Sequence, residues 1–277
     1  MGRSGAGKDP SKTGILVLAG DRPGSNPLCD AAGVRAKVLV PVAGQPVILR
    51  VLNTVSALFS GPLNGSRLLC GPRPETLNAT PELKRVVSDE NWHYLKPAQT
   101  PASSTAAALK LAEPGETMLV TTADHGFLSA EMIAWFLNQA NQSGADAAIA
   151  LVRYADVMAR FPGTRRTAWT FQDDAYCGCN LFAFITPESH RLAAFWRQME
   201  QQRKRPWRMV RTLGATTLLK FISHRLSLAQ ALTALGQKND GLDIAPVLLP
   251  FPEAAVDVDS IDDWKLVDHT LLSSDKP

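Results

Sequence analysis

The chain is poor in the features that would assign it a class at once. Four cysteines in 277 residues are too few for a disulfide framework. Cys177 and Cys179 stand too close together for an ordinary structural bridge, and no second Cys or His pair follows to complete a zinc site. The five histidines, at positions 93, 125, 190, 224 and 269, show no metal-ligand spacing. The cysteines are therefore read as small residues of a protein kept in a reducing cytoplasm. No apolar run reaches the ~18 residues of a membrane-crossing helix. No hydrophobic stretch follows the basic residues near the start, so no secretory signal is expected. Internal repeats are absent. A net charge of only +3 is too small to mark a nucleic-acid binder.

What remains is an ordinary composition, 45% apolar and 20% charged, which supports a sizeable core. Residues 1–13 are rich in Gly, Ser and Lys and read as a disordered tail. They contain Gly2-Arg3-Ser4-Gly5-Ala6-Gly7-Lys8, which has the spacing of a phosphate-binding P-loop. Asp9 stands where a Ser or Thr should ligate magnesium, and no strand can precede a loop at residue 2, so the match is rejected.

Residues 14–272 read as a single α/β domain. A strand at Gly14–Ala19 leads into a long polar loop at 20–36. A short strand at Val38–Val42 precedes a helix opened by Pro46, in which Val47, Ile48, Val51, Leu52, Val55, Leu58 and Phe59 recur at helical spacing. Further strands are expected at Arg67–Cys70, Thr117–Asp124, Ala145–Val152, Thr167–Phe171, Leu181–Ile185 and Asp243–Leu249. Helices are expected at Ser103–Ala112, after a cap at Ser129, and from Thr186-Pro187 towards Gln202. Residues 72–101 read as irregular. Alternation of strands and helices argues for a mainly parallel sheet covered on both faces. The stretch at 203–238 differs in character, being basic at Arg203-Lys204-Arg205-Pro206-Trp207-Arg208 and then apolar, and reads as a helical insertion. Ser260-Ile261-Asp262-Asp263 has the form of a capping box before the last helix.

Two segments carry the chemistry. Gly14-Ile15-Leu16-Val17-Leu18-Ala19-Gly20 is a buried strand running into a small-residue turn. Thr117-Met118-Leu119-Val120-Thr121-Thr122-Ala123-Asp124 is another, ending on a carboxylate. In open α/β sheets ligands bind at the carboxyl ends of the strands, where a glycine turn admits phosphates and an aspartate holds a divalent cation. Alternation in Asp257-Val258-Asp259 puts both carboxylates on one face. Together these suggest a metal-dependent nucleotide site. Arg165 and Arg166 read either as solvated surface or as phosphate clamps.

These residues resemble the nucleotidyltransferases of the molybdenum-cofactor guanylyltransferase and methylerythritol-phosphate cytidylyltransferase type. The pattern of Leu-Ala-Gly, an Arg, a Lys and a Gly-x-Pro turn is met here by Leu18-Ala19-Gly20-Asp21-Arg22, Lys37 and Gly44-Gln45-Pro46. The strand-end aspartate matches Asp124, and the terminal Asp-Thr-Pro-Glu-Asp-Leu matches Asp259-Ser260-Ile261-Asp262-Asp263-Trp264. The resemblance implies a Rossmann-like three-layer α/β/α sandwich of the glycosyltransferase-A type. It implies nucleotide over Leu18, Ala19, Gly20, Asp21 and Arg22, with Lys37 on phosphate and Ser104 or Ser103 on base or ribose. It further implies Mg²⁺ (or Mn²⁺) on Asp124 and Asp259, with Asp257 the weaker candidate, and acceptor contacts near Gly178 and Asn180. Asp21 replaces the family's second glycine, and the Arg22–Lys37 loop is longer than usual.

The expected protein is a nucleotidyltransferase using CTP or GTP and a phosphorylated small molecule or lipid head-group precursor, releasing pyrophosphate. The expectation includes no nucleic-acid partner. Residues 203–226 offer a peripheral membrane contact, and a homodimer is compatible with the reading. The competing readings are a nucleotide-sugar glycosyltransferase, because Asp257-Val258-Asp259 also has an Asp-x-Asp form, and a nucleotide-binding protein without catalysis.

Overall fold

A computed structural model describes residues 12–21, 26–61, 63–202 and 215–274. Residues 1–11 of the expected tail, Arg22 and residues 203–214 of the expected insertion lie outside the described residues, while Thr13, the last residue of the expected tail, is buried in the first strand.

The first strand, β1 (Thr13–Leu18), is buried along its whole length. Such a continuous apolar run suits a strand covered on both faces. Ile15 and Val17 enter one core cluster and Leu16 and Leu18 the other, as the two-residue period of a strand requires. Around it the sheet contains β4 (Arg67–Cys70), β5 (His93–Leu95), β6 (Thr117–Thr122), β7 (Ala147–Arg153), β8 (Trp169–Thr170), β9 (Ala175–Phe184) and β10 (Ile244–Leu248). The order is β10-β7-β9-β6-β1-β4-β5, with β8 paired to β9. All pairs along it are parallel except those made by β9, which runs against β6 and β7. The mainly parallel three-layer arrangement is thus present, with one reversed strand.

One covering layer contains helix α2 (Val47–Ser56) and helix α6 (Ala130–Gln142), whose Ile48, Leu52, Ile133 and Phe136 are fully buried. The other contains helix α5 (Pro101–Ala108) and helix α8 (Arg191–Gln202), where Ala108 and Ala193 pack on Leu16, Met118 and Val120. Ser129 caps α6, its side chain accepting from Met132 N. The C-terminal helix Ile261–Ser274 opens on the expected box: Asp263 N donates to Ser260 Oγ (3.1 Å) and Ser260 N to Asp263 Oδ2 (3.0 Å).

Several elements differ from the sequence reading. The expected strand Val38–Val42 is a 3₁₀ turn, Lys37–Leu39, followed by a minimal hairpin of β2 (Pro41–Val42) and β3 (Gln45–Pro46). Val38, Val40 and Val42 are all buried, so the strand-like alternation is real but is satisfied by a turn. Ala43 and Gly44, both at positive φ (48° and 77°), close the hairpin. The polar loop at 20–36 contains a short helix, Pro27–Ala32, with Asn26 accepting from Leu28 N and Gly33 ending it at φ 66°. Residues 72–101 hold β5 and the helices Pro74–Asn78 and Pro81–Asp89, each started by a proline. β9 begins six residues before the expected Leu181, because Asp173 and Asp174 form the turn that launches it from β8.

Gly71 marks the tightest backbone approach near the sheet's carboxyl edge. Its φ is 95°, and a Cβ there would lie 2.7 Å from the Ala19 carbonyl carbon and oxygen and 2.9 Å from Gly20 N. Gly144 also has positive φ (68°) but has nothing within 4 Å of such a Cβ. Gly71→Ala should therefore cost at least about 2 kcal/mol more than Gly144→Ala in urea unfolding, since both carry conformational strain but only one carries a backbone clash. Equal losses would contradict this assignment.

Candidate active site

The registers of the central strands set the site. Leu18 on β1 is level with Thr122 on β6 and with Cys70 on β4, so three parallel strands end together. Backbone bonds knit these ends, from Ala19 N to Cys70 O (2.8 Å) and from Ala123 N to Leu18 O (2.9 Å). Leu18 and Ala19 are buried and Gly20 is exposed on the crevice, 3.3 Å from Pro97 as judged from an added Cβ.

Lys37, Asp124 and Asp259 meet here. Lys37 Nζ lies 2.5 Å from Asp124 Oδ2 and 2.5 Å from Asp259 Oδ1. The side chains of Lys37 and Asp124 are 20% and 14% exposed, whereas that of Asp259 is 66% exposed. Burial alone would raise the Asp124 carboxyl, but the Lys37 ammonium outweighs it and holds the group below the usual carboxylate range. Burial opposes the Lys37 charge, and the two carboxylates reverse that effect and hold it firmly protonated. The Asp257–Asp259 segment is tied to the same place by Val258 N donating to Asp124 O (3.0 Å), with Val258 itself fully buried.

Asp257 sits behind this pair. Asn180 Nδ2 donates to its Oδ2 at 2.6 Å. Burial, reinforced by Asp124 and Asp259, pushes its carboxyl well above the usual range. Asn180 adopts a left-handed backbone, φ 49°, where the β7–β9 register shifts between Ile149 and Leu151. Asparagine tolerates that conformation better than most residues, and bulges of this kind re-aim side chains beside sites. Gly178, two residues earlier, faces the Trp169 indole at about van der Waals distance, 3.8 Å from a Cβ built on it.

The remaining expected residues fall into distinct positions. Asp21 Oδ1 accepts from the backbone N of Lys37 (3.3 Å), and burial raises its carboxyl against the opposing charge of Lys37. Ser104 is buried, with its Oγ accepting from Ala98 N (3.0 Å). Ser103 is half-buried, its Oγ 3.1 Å from Thr100 Oγ1. Arg165 is exposed. The Arg166 side chain is only 10% exposed, with Nη2 2.6 Å from Asp263 Oδ1, the partner of Ser260 in the capping box of the C-terminal helix. A cavity of about 640 Å³ beside α5 and α8 includes Ser103 but neither Lys37 nor any of the three carboxylates. Sequence reasoning missed Gly71, Thr100 as the cap of α5 and the Asp21–Lys37 tether. Gly71-Pro72 directly after a buried strand was the available signal for the first.

Among the described residues no three His, Cys, Asp or Glu side chains are grouped to hold a metal by themselves. The donor set nevertheless fits a hard divalent cation. Mg²⁺ is commonly held by one or two carboxylates plus substrate phosphates. Asp124 Oδ1 and Asp257 Oδ1 are buried without a well-formed hydrogen bond among the described residues, leaving acceptor capacity unspent.

Residues 15–213 match the family described as "MobA-like NTP transferase domain". A structure titled as a hypothetical transferase from Thermus thermophilus shares 28% identity with TM-score 0.72, over 91% of this chain and 99% of that one. The 4-diphosphocytidyl-2C-methyl-D-erythritol synthase of Anaerococcus prevotii DSM 20548 is 14% identical with TM-score 0.58, over 95% of this chain and 100% of its own. A CMP:2-keto-3-deoxy-manno-octonic acid synthetase complexed with CTP is 12% identical with TM-score 0.57, with the same two coverages. These last two show the fold alone. Among curated proteins the chain finds no match. No helix among the described residues is long and apolar enough to cross a membrane.

His125, next to Asp124, is fully buried, and burial pushes its imidazole down to about 4 against the opposing Asp124 charge. The folded protein thus holds a neutral ring that the unfolded chain protonates near its ordinary value. That contribution is complete above the unfolded value and is lost as pH falls towards 4. Lowering pH from about 7.5 to about 5 should cost about 2 kcal/mol through this group. Urea unfolding of wild type and His125→Gln across that range checks it: the wild type should lose more stability with acid, and parallel curves would refute the assignment.

Proposed function

The chain belongs to the MobA-like NTP transferase family and is a nucleotidyltransferase; on that premise we propose that it transfers a nucleoside monophosphate from CTP or GTP to a phosphorylated small molecule or lipid head-group precursor. The observation that carries this reading is the meeting of Lys37, Asp124 and Asp259 at the level ends of β1 and β6. An oxygen of the acceptor phosphate attacks the α-phosphorus, the bond to the β-phosphate bridging oxygen breaks, and pyrophosphate leaves. The acceptor is already an anionic nucleophile, so no serine, cysteine or histidine base is required.

The residues' work is to align two polyanions and balance their charge. The backbone at Leu18, Ala19 and Gly20 receives the triphosphate, with Arg22 and Lys37 supplying positive charge. Asp21 positions Lys37 by accepting from its backbone N beside the triphosphate loop. Ser104 shapes the base or ribose contact through Ala98, and Ser103 lies on the same helix start. Asp124 and Asp259 would hold Mg²⁺ or Mn²⁺, with Asp257 behind them. When bound, such an ion would neutralise charge on the triphosphate. Arg165, Gly178 and Asn180 line the acceptor side. Arg166 acts there through its pairing with Asp263, holding the loop against the C-terminal helix.

The test is pyrophosphate release from each of the four NTPs with Mg²⁺ and a panel of phosphorylated acceptors. One of CTP or GTP should give pyrophosphate and a nucleotidylated product, and EDTA should abolish it. Asp124→Asn and Lys37→Met should each lower the rate by roughly 10²–10³. Transfer of a sugar from a nucleotide sugar without pyrophosphate would replace this reading with a glycosyltransferase, and nucleotide binding with no turnover across the panel would replace it with a non-catalytic binder.

A further inference from the structure

The cation bracketed by Asp124 and Asp259 in this structure is the protein's own ammonium. Lys37 Nζ is 2.5 Å from an oxygen of each. A divalent ion bound by both carboxylates must take the space the ammonium fills, and two cations do not share it. The surroundings are built for exchange. Asp124 is buried on the end of β6, while the Asp259 side chain is 66% exposed. Lys37 is anchored by its backbone to Asp21, which leaves the long side chain as its movable part. The lysine engages Asp124 Oδ2 and leaves buried Asp124 Oδ1 and Asp257 Oδ1 without a well-formed hydrogen bond among the described residues.

We infer that the nucleotide-free protein keeps its divalent-cation site closed with Lys37, and that the ion enters together with the nucleotide, whose phosphates draw the ammonium away. This rests on the reading of the site as one for nucleoside triphosphates. The exchange costs little net charge. Two carboxylates lose a monovalent partner and gain a divalent one, while the lysine regains an anionic partner on the polyphosphate. Metal alone offers the lysine no such partner, so metal alone is a poor competitor. A ligand shifts such an equilibrium only by its differential affinity for the open and closed states.

The experiment measures Mn²⁺ alone, by electron paramagnetic resonance, on the full chain without nucleotide. Wild type should bind weakly, and Lys37→Met and Lys37→Gln should each bind at least roughly tenfold more tightly. The gain should vanish in Lys37→Met combined with Asp259→Asn. The same lysine variants should bind a non-hydrolysable NTP more weakly than wild type, a split that a lysine serving only the fold would not produce. Circular dichroism establishes that each variant is folded. Mn²⁺ affinity unchanged or weakened by loss of the lysine overturns the inference, as does a gain that survives Asp259→Asn. If the lysine variants do not fold, wild type and Asp259→Asn decide: Mn²⁺ binding to wild type at about 10 μM or tighter without nucleotide, lost in Asp259→Asn, also overturns it. The metal titration is independent of turnover, so a failure to release pyrophosphate from any NTP would sink the catalytic reading and leave this result standing.

Discussion

One ammonium between two carboxylates organises this molecule's functional edge. Lys37, Asp124 and Asp259 are separated by 87 and 222 positions in sequence from one end of the contact to the other. Asp124, Asp257 and Asp259 would repel one another if left together without a cation. The two contacts differ in weight. Removing one partner of a buried pair such as Lys37–Asp124 typically costs about 3–5 kcal/mol. An exposed contact such as that to Asp259 contributes only about 0–1 kcal/mol. Asp124 is therefore the fixed member and Asp259 the adjustable one, a division of labour suited to a site that must accept and release a charged ligand.

The sheet is what makes that meeting obligatory. Parallel pairing of β1 with both β4 and β6 aligns three strand ends, and Gly71 lets the β4 end press against the Ala19–Gly20 backbone. The C-terminal segment is then tied in by Val258 N on Asp124 O. Its helix secures the β2–β3 hairpin through Trp264 Nε1 donating to Pro41 O and Ala43 N donating to Asp268 Oδ1. A contact so dependent on register would be lost by a shift of a single residue in any of these strands.

Much of this was legible in the residues, for identifiable reasons. The buried strands ending at Leu18 and Thr122 announce themselves by continuous apolar runs, and the Ser260–Asp263 box by its spacing. The motif set Leu18–Asp21, Lys37, Asp124 and Asp259 was visible only as an ordered series, since each alone has an ordinary structural explanation. Three things were not legible. The alternation at Val38, Val40 and Val42 reads as one strand, but Val38 is buried from a 3₁₀ turn at Lys37–Leu39 and Val42 from the short strand after it, a break that side-chain alternation does not reveal. Asp21 stands where the resembling family has a glycine, and only the folded path of the loop brings its carboxylate to the Lys37 backbone. Arg166 looked like surface or a substrate clamp, and its partner Asp263 lies nearly a hundred residues away, beyond the reach of any local pattern.

The central claim is that Lys37 and Asp124 act as one charged unit. A double-mutant cycle on urea unfolding, with Lys37→Met, Asp124→Asn and the combined variant, measures it directly. Coupling of at least about 1 kcal/mol is the result predicted, since partners in direct contact couple while distant residues add within about 0.5 kcal/mol. Additive losses, with coupling indistinguishable from zero, would mean that the two side chains do not meet in solution and would contradict the account.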